Sequence, residues 1–273
     1  MDLLHAAILG ALQGFTEVLP VSSSAHLILI PWLLKWPESG LTFDVALHLG
    51  TFIALSLYFW RDIIEMTVSF FDVLGARRLN TPARRLPFLI IAATVPAAVA
   101  GKFFEHQVEV VFRSNPLLIA SVLIAFALLL GAVDLFGRKR LLLDEIKPAS
   151  ALSIGLMQCL ALIPGVSRSG ITITAALMLG FTRESAARFS FLMSLPVVAG
   201  AALLKTVHLF TSGIPAGEGL PMLVGIIFSA VTGYISVAFL LRFVQKQSLA
   251  PFVWYRVVVG GAIIIAILSG FGV

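Results

Sequence analysis

Charged side chains are scarce in this sequence, and so is cysteine. Only 12% of its 273 residues are Asp, Glu, Lys or Arg, about half the share found in an ordinary soluble domain. So few charges cannot clothe a water-facing surface, which excludes a soluble globular protein. Cysteine occurs once, at Cys159, which excludes an internal disulfide and a cysteine-rich metal cluster. Ahead of the first apolar stretch there is no basic n-region, Asp2 being the only early fixed charge, so no cleaved signal peptide is expected. What fills the chain instead is apolar: 59% hydrophobic residues and a mean hydropathy of +1.02. The net charge of +5 does not point to nucleic acid. Its basic residues sit in short loops, as with Arg77, Arg78, Arg84 and Arg85, then Arg138, Lys139 and Arg140. That placement is the positive-inside pattern of cytoplasmic loops.

Six apolar blocks are long enough to cross a bilayer, at 42–60, 86–104, 116–136, 185–210, 220–241 and 251–271; a crossing helix needs about 20 residues. Two further apolar regions are interrupted. Leu3 to Lys35 breaks at Pro20-Val21-Ser22-Ser23-Ser24-Ala25-His26, and Leu152 to Gly180 breaks at Pro164-Gly165-Val166-Ser167-Arg168-Ser169-Gly170. A polar, Pro/Gly-marked break between short apolar arms reads as a re-entrant hairpin. Non-helical backbone at that depth requires protein or a wet cavity around it, so a cavity is expected where the breaks lie.

The two halves resemble each other. Gly10-Ala11-Leu12-Gln13 precedes the first break and Gly155-Leu156-Met157-Gln158 the second, while Val21-Ser22-Ser23-Ser24 parallels Val166-Ser167-Arg168-Ser169. The order and spacing indicate one membrane domain, 1–273, made of two repeats, about 1–140 and about 141–273, each with a hairpin and three spans. Loops 61–85, 137–148, 181–184 and 242–250 hold twelve of the nineteen basic residues, whereas loops 105–115 and 211–219 hold Arg113 alone. With the first set inside, both termini are periplasmic and the hairpins enter from opposite leaflets. The expected fold is an all-α polytopic membrane protein with an inverted-topology repeat, its broken helices meeting near the midplane.

Ionisable residues within apolar blocks are functional candidates by default, and Glu17, His26 and Arg168 lie at or beside the breaks. Gln13 and Glu17, four apart, share a helix face. New helices are expected to start near Ser23 and Ser169, presenting unpaired N–H groups and positive dipole ends at mid-depth. With serine hydroxyls and the Arg168 guanidinium, two such ends suit a diphosphate.

Gln13-Gly14-Phe15-Thr16-Glu17 with Pro20 to His26 resembles the first signature of the bacterial undecaprenyl-diphosphate phosphatases, the bacitracin-resistance family. Pro164-Gly165-Val166-Ser167-Arg168-Ser169-Gly170-Ile171-Thr172 is similar to their second, and the likeness extends to Trp254-Tyr255-Arg256. The family often has Glu where this sequence has Gln13. The resemblance implies recycling of a cell-wall carrier lipid in the bacterial inner membrane, with the active site reached from the periplasm. Ser23 or His26 would attack the terminal phosphorus, and the resemblance favours Ser23 with His26 as its proton partner. Arg168 would stabilise the phosphoryl oxygens. Glu17 would hold a divalent cation, Mg or Ca, a reading the family's cation dependence favours, or would orient His26 or a water. Gln13, Ser22, Ser24, Gly165, Ser167, Ser169, Gly170 and Thr172 complete the substrate-binding set.

Plainer readings compete. Glu17 and Arg168 could form a bracing ion pair, the serines could be helix caps, and Gly165 and Gly170 could serve the turn. His48 reads as an interior histidine, and Arg188 and Arg256 as snorkelling side chains at cytoplasmic span ends. A polyprenyl-phosphate flippase or transporter would use the same midplane site. The partners expected are a polyprenyl diphosphate and the bilayer, with a homodimer compatible and no nucleic acid.

Overall fold

The computed structural model describes residues 2–36, 40–76, 79–113, 115–212 and 217–270. Its elements are all helical, and among the described residues extended pairing is confined to the single bridge Leu141–Phe181. In chain order they are α1 (Leu3–Val18), α2 (Ser23–Leu34), α3 (Gly40–Tyr58), α4 (Trp60–Ala76), α5 (Pro82–Arg113) and α6 (Pro116–Phe136). There follow α7 (Pro148–Gln158), α8 (Arg168–Met178), α9 (Arg183–Ser212), α10 (Gly219–Phe243) and α11 (Ala250–Leu268). Short 3-10 turns at Leu143–Glu145 and Cys159–Leu162 flank α7. By length and composition, four helical stretches can cross a membrane: Pro82–Phe104, Pro116–Phe136, Gly219–Phe243 and Ala250–Leu268. A fifth crossing is possible through α3 and α4, which bend by 78° at their junction. The protein is therefore a multi-pass membrane protein.

Each expected span coincides with a helix, and two expected loops do not survive. Residues 61–85, read as a loop, contain α4, and 105–113 extend α5 by more than two turns. Helix α4 escapes a search for long apolar blocks because it is amphipathic. Trp60, Ile64, Val68 and Phe71 are exposed along one side, Ser69 and Val73 are buried on another, and Glu65 and Asp72 lie between. The expected loop 211–219 falls largely outside the described residues.

The two breaks have the same local stereochemistry. Helix α1 stops because Pro20 drives Leu19 into an extended conformation (φ −67°, ψ 145°). Ser22 then caps α2 with φ 75°, its hydroxyl accepting from Ala25 N at 3.4 Å; Ser167 caps α8 with φ 72°, accepting from Gly170 N at 3.1 Å. Left-handed backbone at a serine is uncommon, and here it turns the chain sharply into each helix. Gly165, at φ 100°, supplies the preceding turn, which a side chain would strain.

Packing repeats the same pairing. Helix α1 lies along α10, and α7 along α5. Both contacts are close because of glycine. A Cβ at Gly10 would collide with the Gly225 backbone, and one at Gly155 with the Ala93 carbonyl. Small residues bring membrane helices to backbone contact in this way.

Candidate active site

The breaks meet. Ser22 Oγ accepts from Gly165 N at 3.2 Å, and Ser169 Oγ donates to Leu19 O at 3.1 Å. Between them stands Glu17, in the last turn of α1 and almost wholly buried. Its Oε1 accepts from Arg168 Nη2 at 2.5 Å, and its Oε2 accepts from Ser23 Oγ at 2.5 Å. Ser23 and Arg168 are the first residues of α2 and α8, so equivalent positions of the two breaks face one carboxylate. First-turn amides lack intrahelical acceptors, and both helix starts carry them to this point.

Glu17 is held by its own helix as well. Gln13 Nε2 donates to Glu17 Oε2 at 3.2 Å and lies 2.9 Å from His48 Nδ1, which is itself 3.5 Å from Glu17 Oε2. His48, on α3, thus belongs to the cluster, an interior histidine whose hydrogen-bond partner is a residue of the first break's leading helix. The signal was present, since it is an ionisable residue inside an apolar block. His48 is about one-third exposed, Arg168 less so, and Ser24 is exposed beside the first break. These side chains form the accessible rim.

The remaining residues divide. Ser22 and Ser167 serve as caps, with Ser22 Oγ 3.2 Å from Ser24 Oγ and Ser167 Oγ 3.2 Å from Ser169 Oγ. Gly165 and Gly170 shape the second break. Thr172 has partners of its own: its Oγ1 donates within α8, to Arg168 O, and lies 2.7 Å from Ser190 Oγ on α9. His26 does not partner Ser23. Its Nδ1 lies 2.7 Å from Ser22 O, its Nε2 is 2.8 Å from Tyr255 Oη, and its ring stacks on Tyr255.

Arg256 departs furthest from the sequence reading. It does not snorkel; it is fully buried and donates to Leu123 O, Pro20 O, Gly165 O and Val166 O. The only sign of this in the sequence is a charge placed several residues inside the last apolar block. Arg188 likewise pairs with Asp62 of α4 and is not simply extended toward water.

Fold and site together define an integral membrane protein with a buried serine–carboxylate–guanidinium cluster at two helix breaks. The family described as Bacitracin resistance protein BacA matches residues 6–262. A relative from Pelobacter propionicus is 71% identical over 270 residues, covering 99% of each chain. One from Geotalea daltonii is 64% identical over 260 residues, covering 95% of this chain and 96% of its own. One from Thermomicrobium roseum is 43% identical over 274 residues, covering 98% and 99%. All three are named undecaprenyl-diphosphatase. The chain belongs to the bacitracin resistance protein BacA family.

Proposed function

We propose that this protein hydrolyses undecaprenyl diphosphate to undecaprenyl phosphate and inorganic phosphate, recycling the cell-wall carrier lipid and so conferring bacitracin resistance. The names of its full-length relatives support the reaction. The observation that carries the site is the double engagement of Glu17, by the Ser23 hydroxyl and by Arg168.

In this reading the terminal phosphoryl group enters between Ser23 and Arg168. Ser23 Oγ attacks the terminal phosphorus while its proton passes to Glu17 Oε2, which already accepts it in a hydrogen bond. The bond from that phosphorus to the bridging oxygen breaks, and the lipid monophosphate leaves. Water then attacks the phosphoserine and releases phosphate. Arg168 and the first-turn amides of α2 and α8 balance charge on the equatorial oxygens. His26 acts through Ser22 and Tyr255, orienting the first break.

The site also suits a hard divalent cation such as Mg or Ca. Gln13 Oε1 is a buried acceptor without a hydrogen-bond donor, and the same amide reaches the Glu17 carboxylate through its Nε2 at 3.2 Å. Oxygen donors of this kind are what such ions take. Among the described residues no three His, Cys, Asp or Glu side chains are grouped so as to hold a metal ion, so Glu17 and Gln13 would share the ion with substrate oxygens and water. Its chemistry would be neutralisation of phosphate charge.

The reading extends to topology. The chain is one domain of two inverted repeats, with α1–α2 and α7–α8 as hairpins entering from opposite leaflets and α3, α5, α6, α9, α10 and α11 as six spans. The matched caps and the paired α1–α10 and α7–α5 contacts support it. It sits in the inner membrane with the site open to the periplasm. Glu17, Ser23 and Arg168 come from one chain, so a homodimer is compatible and not required.

Phosphate release from farnesyl or undecaprenyl diphosphate by the purified protein in detergent tests the proposal. Stoichiometric phosphate, lost in Ser23→Ala, is the expected result. Lipid redistribution in vesicles without phosphate release would favour a carrier instead.

A further inference from the structure

The phosphoryl-transfer scheme leaves one fully buried charge without a role. Arg256 directs its guanidinium only at carbonyls among its hydrogen bonds: Nε to Leu123 O at 3.2 Å, Nη1 to Pro20 O at 3.3 Å, and Nη2 to Gly165 O at 2.8 Å and Val166 O at 3.1 Å. Pro20 belongs to the first break; Gly165 and Val166 belong to the second. The carbonyls of Pro20, Gly165 and Val166 lie where the helical ladder is interrupted, and buried carbonyls without donors are costly at membrane depth. A planar fork with five N–H donors can satisfy several at once, which a lysine ammonium on a flexible stem cannot reproduce. Gly170 leaves room for it, since a Cβ there would sit 3.1 Å from Arg256 Nη1.

The preceding residue reaches the same region. Tyr255 Oη is 2.8 Å from His26 Nε2, and His26 Nδ1 is 2.7 Å from Ser22 O, the cap of α2. Consecutive residues of α11 therefore hold the first break at Pro20 and at His26, and the second at Gly165 and Val166. Beyond the shared Glu17 carboxylate, which takes Ser23 of the first break and Arg168 of the second, the breaks are tied directly by two neutral hydrogen bonds among the described residues, Gly165 N to Ser22 Oγ and Ser169 Oγ to Leu19 O.

We propose that Arg256 is a positioning residue for phosphoryl transfer: it clamps the two breaks together and thereby fixes Ser23 and Arg168 on either side of the reacting phosphorus, with Tyr255 holding the first break through His26. The inference rests on the functional reading above. Arg256 meets no phosphate in this role, so its loss acts on the alignment of groups that do. Misplacement on the scale of 1 Å costs about 10²-fold in rate, and a loss confined to the transition state appears in kcat and leaves KM alone.

The test compares wild type with Arg256→Lys, Arg256→Met and Tyr255→Phe, purified in detergent, for kcat and KM on farnesyl diphosphate, with elution profile and thermal melting as measures of folding. Both Arg256 variants should elute as wild type and lose about 10²-fold in kcat with KM nearly unchanged. Tyr255→Phe, lacking one hydroxyl, should lose about tenfold in kcat, as expected for a weaker hold on the same break. Normal kcat in Arg256→Lys overturns the clamp, and so does a rise in KM with kcat intact. If the Arg256 variants do not elute as folded protein, Tyr255→Phe decides, and unchanged kcat there overturns it. Wild-type protein inert toward farnesyl diphosphate sinks the functional reading itself, a result distinct from active wild type with indifferent variants.

Discussion

Glu17 carries two duties at once, and a single substitution tests both. Its Oε2 takes the Ser23 hydroxyl and its Oε1 takes Arg168. Glu17→Gln keeps the shape but removes the charge that both partners bind. Turnover of farnesyl diphosphate by this variant is expected to fall at least about 10²-fold, as for loss of a general base, with an unchanged elution profile. Retained turnover would reduce the Glu17–Arg168 pair to a brace. The residue types at the breaks were legible in the sequence, because charge and hydroxyl groups inside apolar blocks are conspicuous. Their directions were not. Three-residue spacing suggested that His26 faces Ser23, yet its ring turns to Tyr255, 229 residues away in the chain. Thr172 stands within the second signature but bonds toward α9. Such choices are set by tertiary neighbours that local spacing does not encode.

At the scale of elements, apolar block length located helices long enough to cross, while the amphipathic α4 hid among charged residues. Helix α4 follows a 78° bend and shows Trp60, Ile64, Val68 and Phe71 on one exposed side, the pattern of a helix lying in the membrane interface. In a Cys159→Ser background, cysteines at positions 64, 68 and 71 are expected to resist a water-soluble maleimide while those at 65 and 72 react. Equal labelling at all five positions would contradict an in-plane helix. A second element-scale prediction concerns Asp134, which is buried on α6. It accepts from Arg183 Nε at 2.6 Å and Nη2 at 3.2 Å, and from Leu249 N at 2.9 Å, tying the starts of α9 and α11 to α6. Asp134→Ala leaves Arg183 and an amide without their partner. A stability loss of about 3 kcal/mol is expected, read as a lower melting temperature with kcat on folded protein retained; an unchanged melt would show the pair to be dispensable.

For the whole molecule, the internal likeness of the halves gives the site its form. Ser23 and Arg168 occupy matching places in two breaks, so two similar helix starts bring a hydroxyl and a guanidinium to one carboxylate. The likeness of the two breaks could be read from Gly10 to Gln13 against Gly155 to Gln158, and from the matched serine runs. The contacts of Arg256 could not, because it and its carbonyl partners are 90 or more residues apart in the chain. The most direct measurement of the central claim is rapid quenching of the protein with farnesyl diphosphate radiolabelled in its terminal phosphate, followed by peptide mapping. Label is expected on Ser23 within a single turnover, with none in Ser23→Ala. Label on His26, or full turnover by Ser23→Ala, would contradict the account.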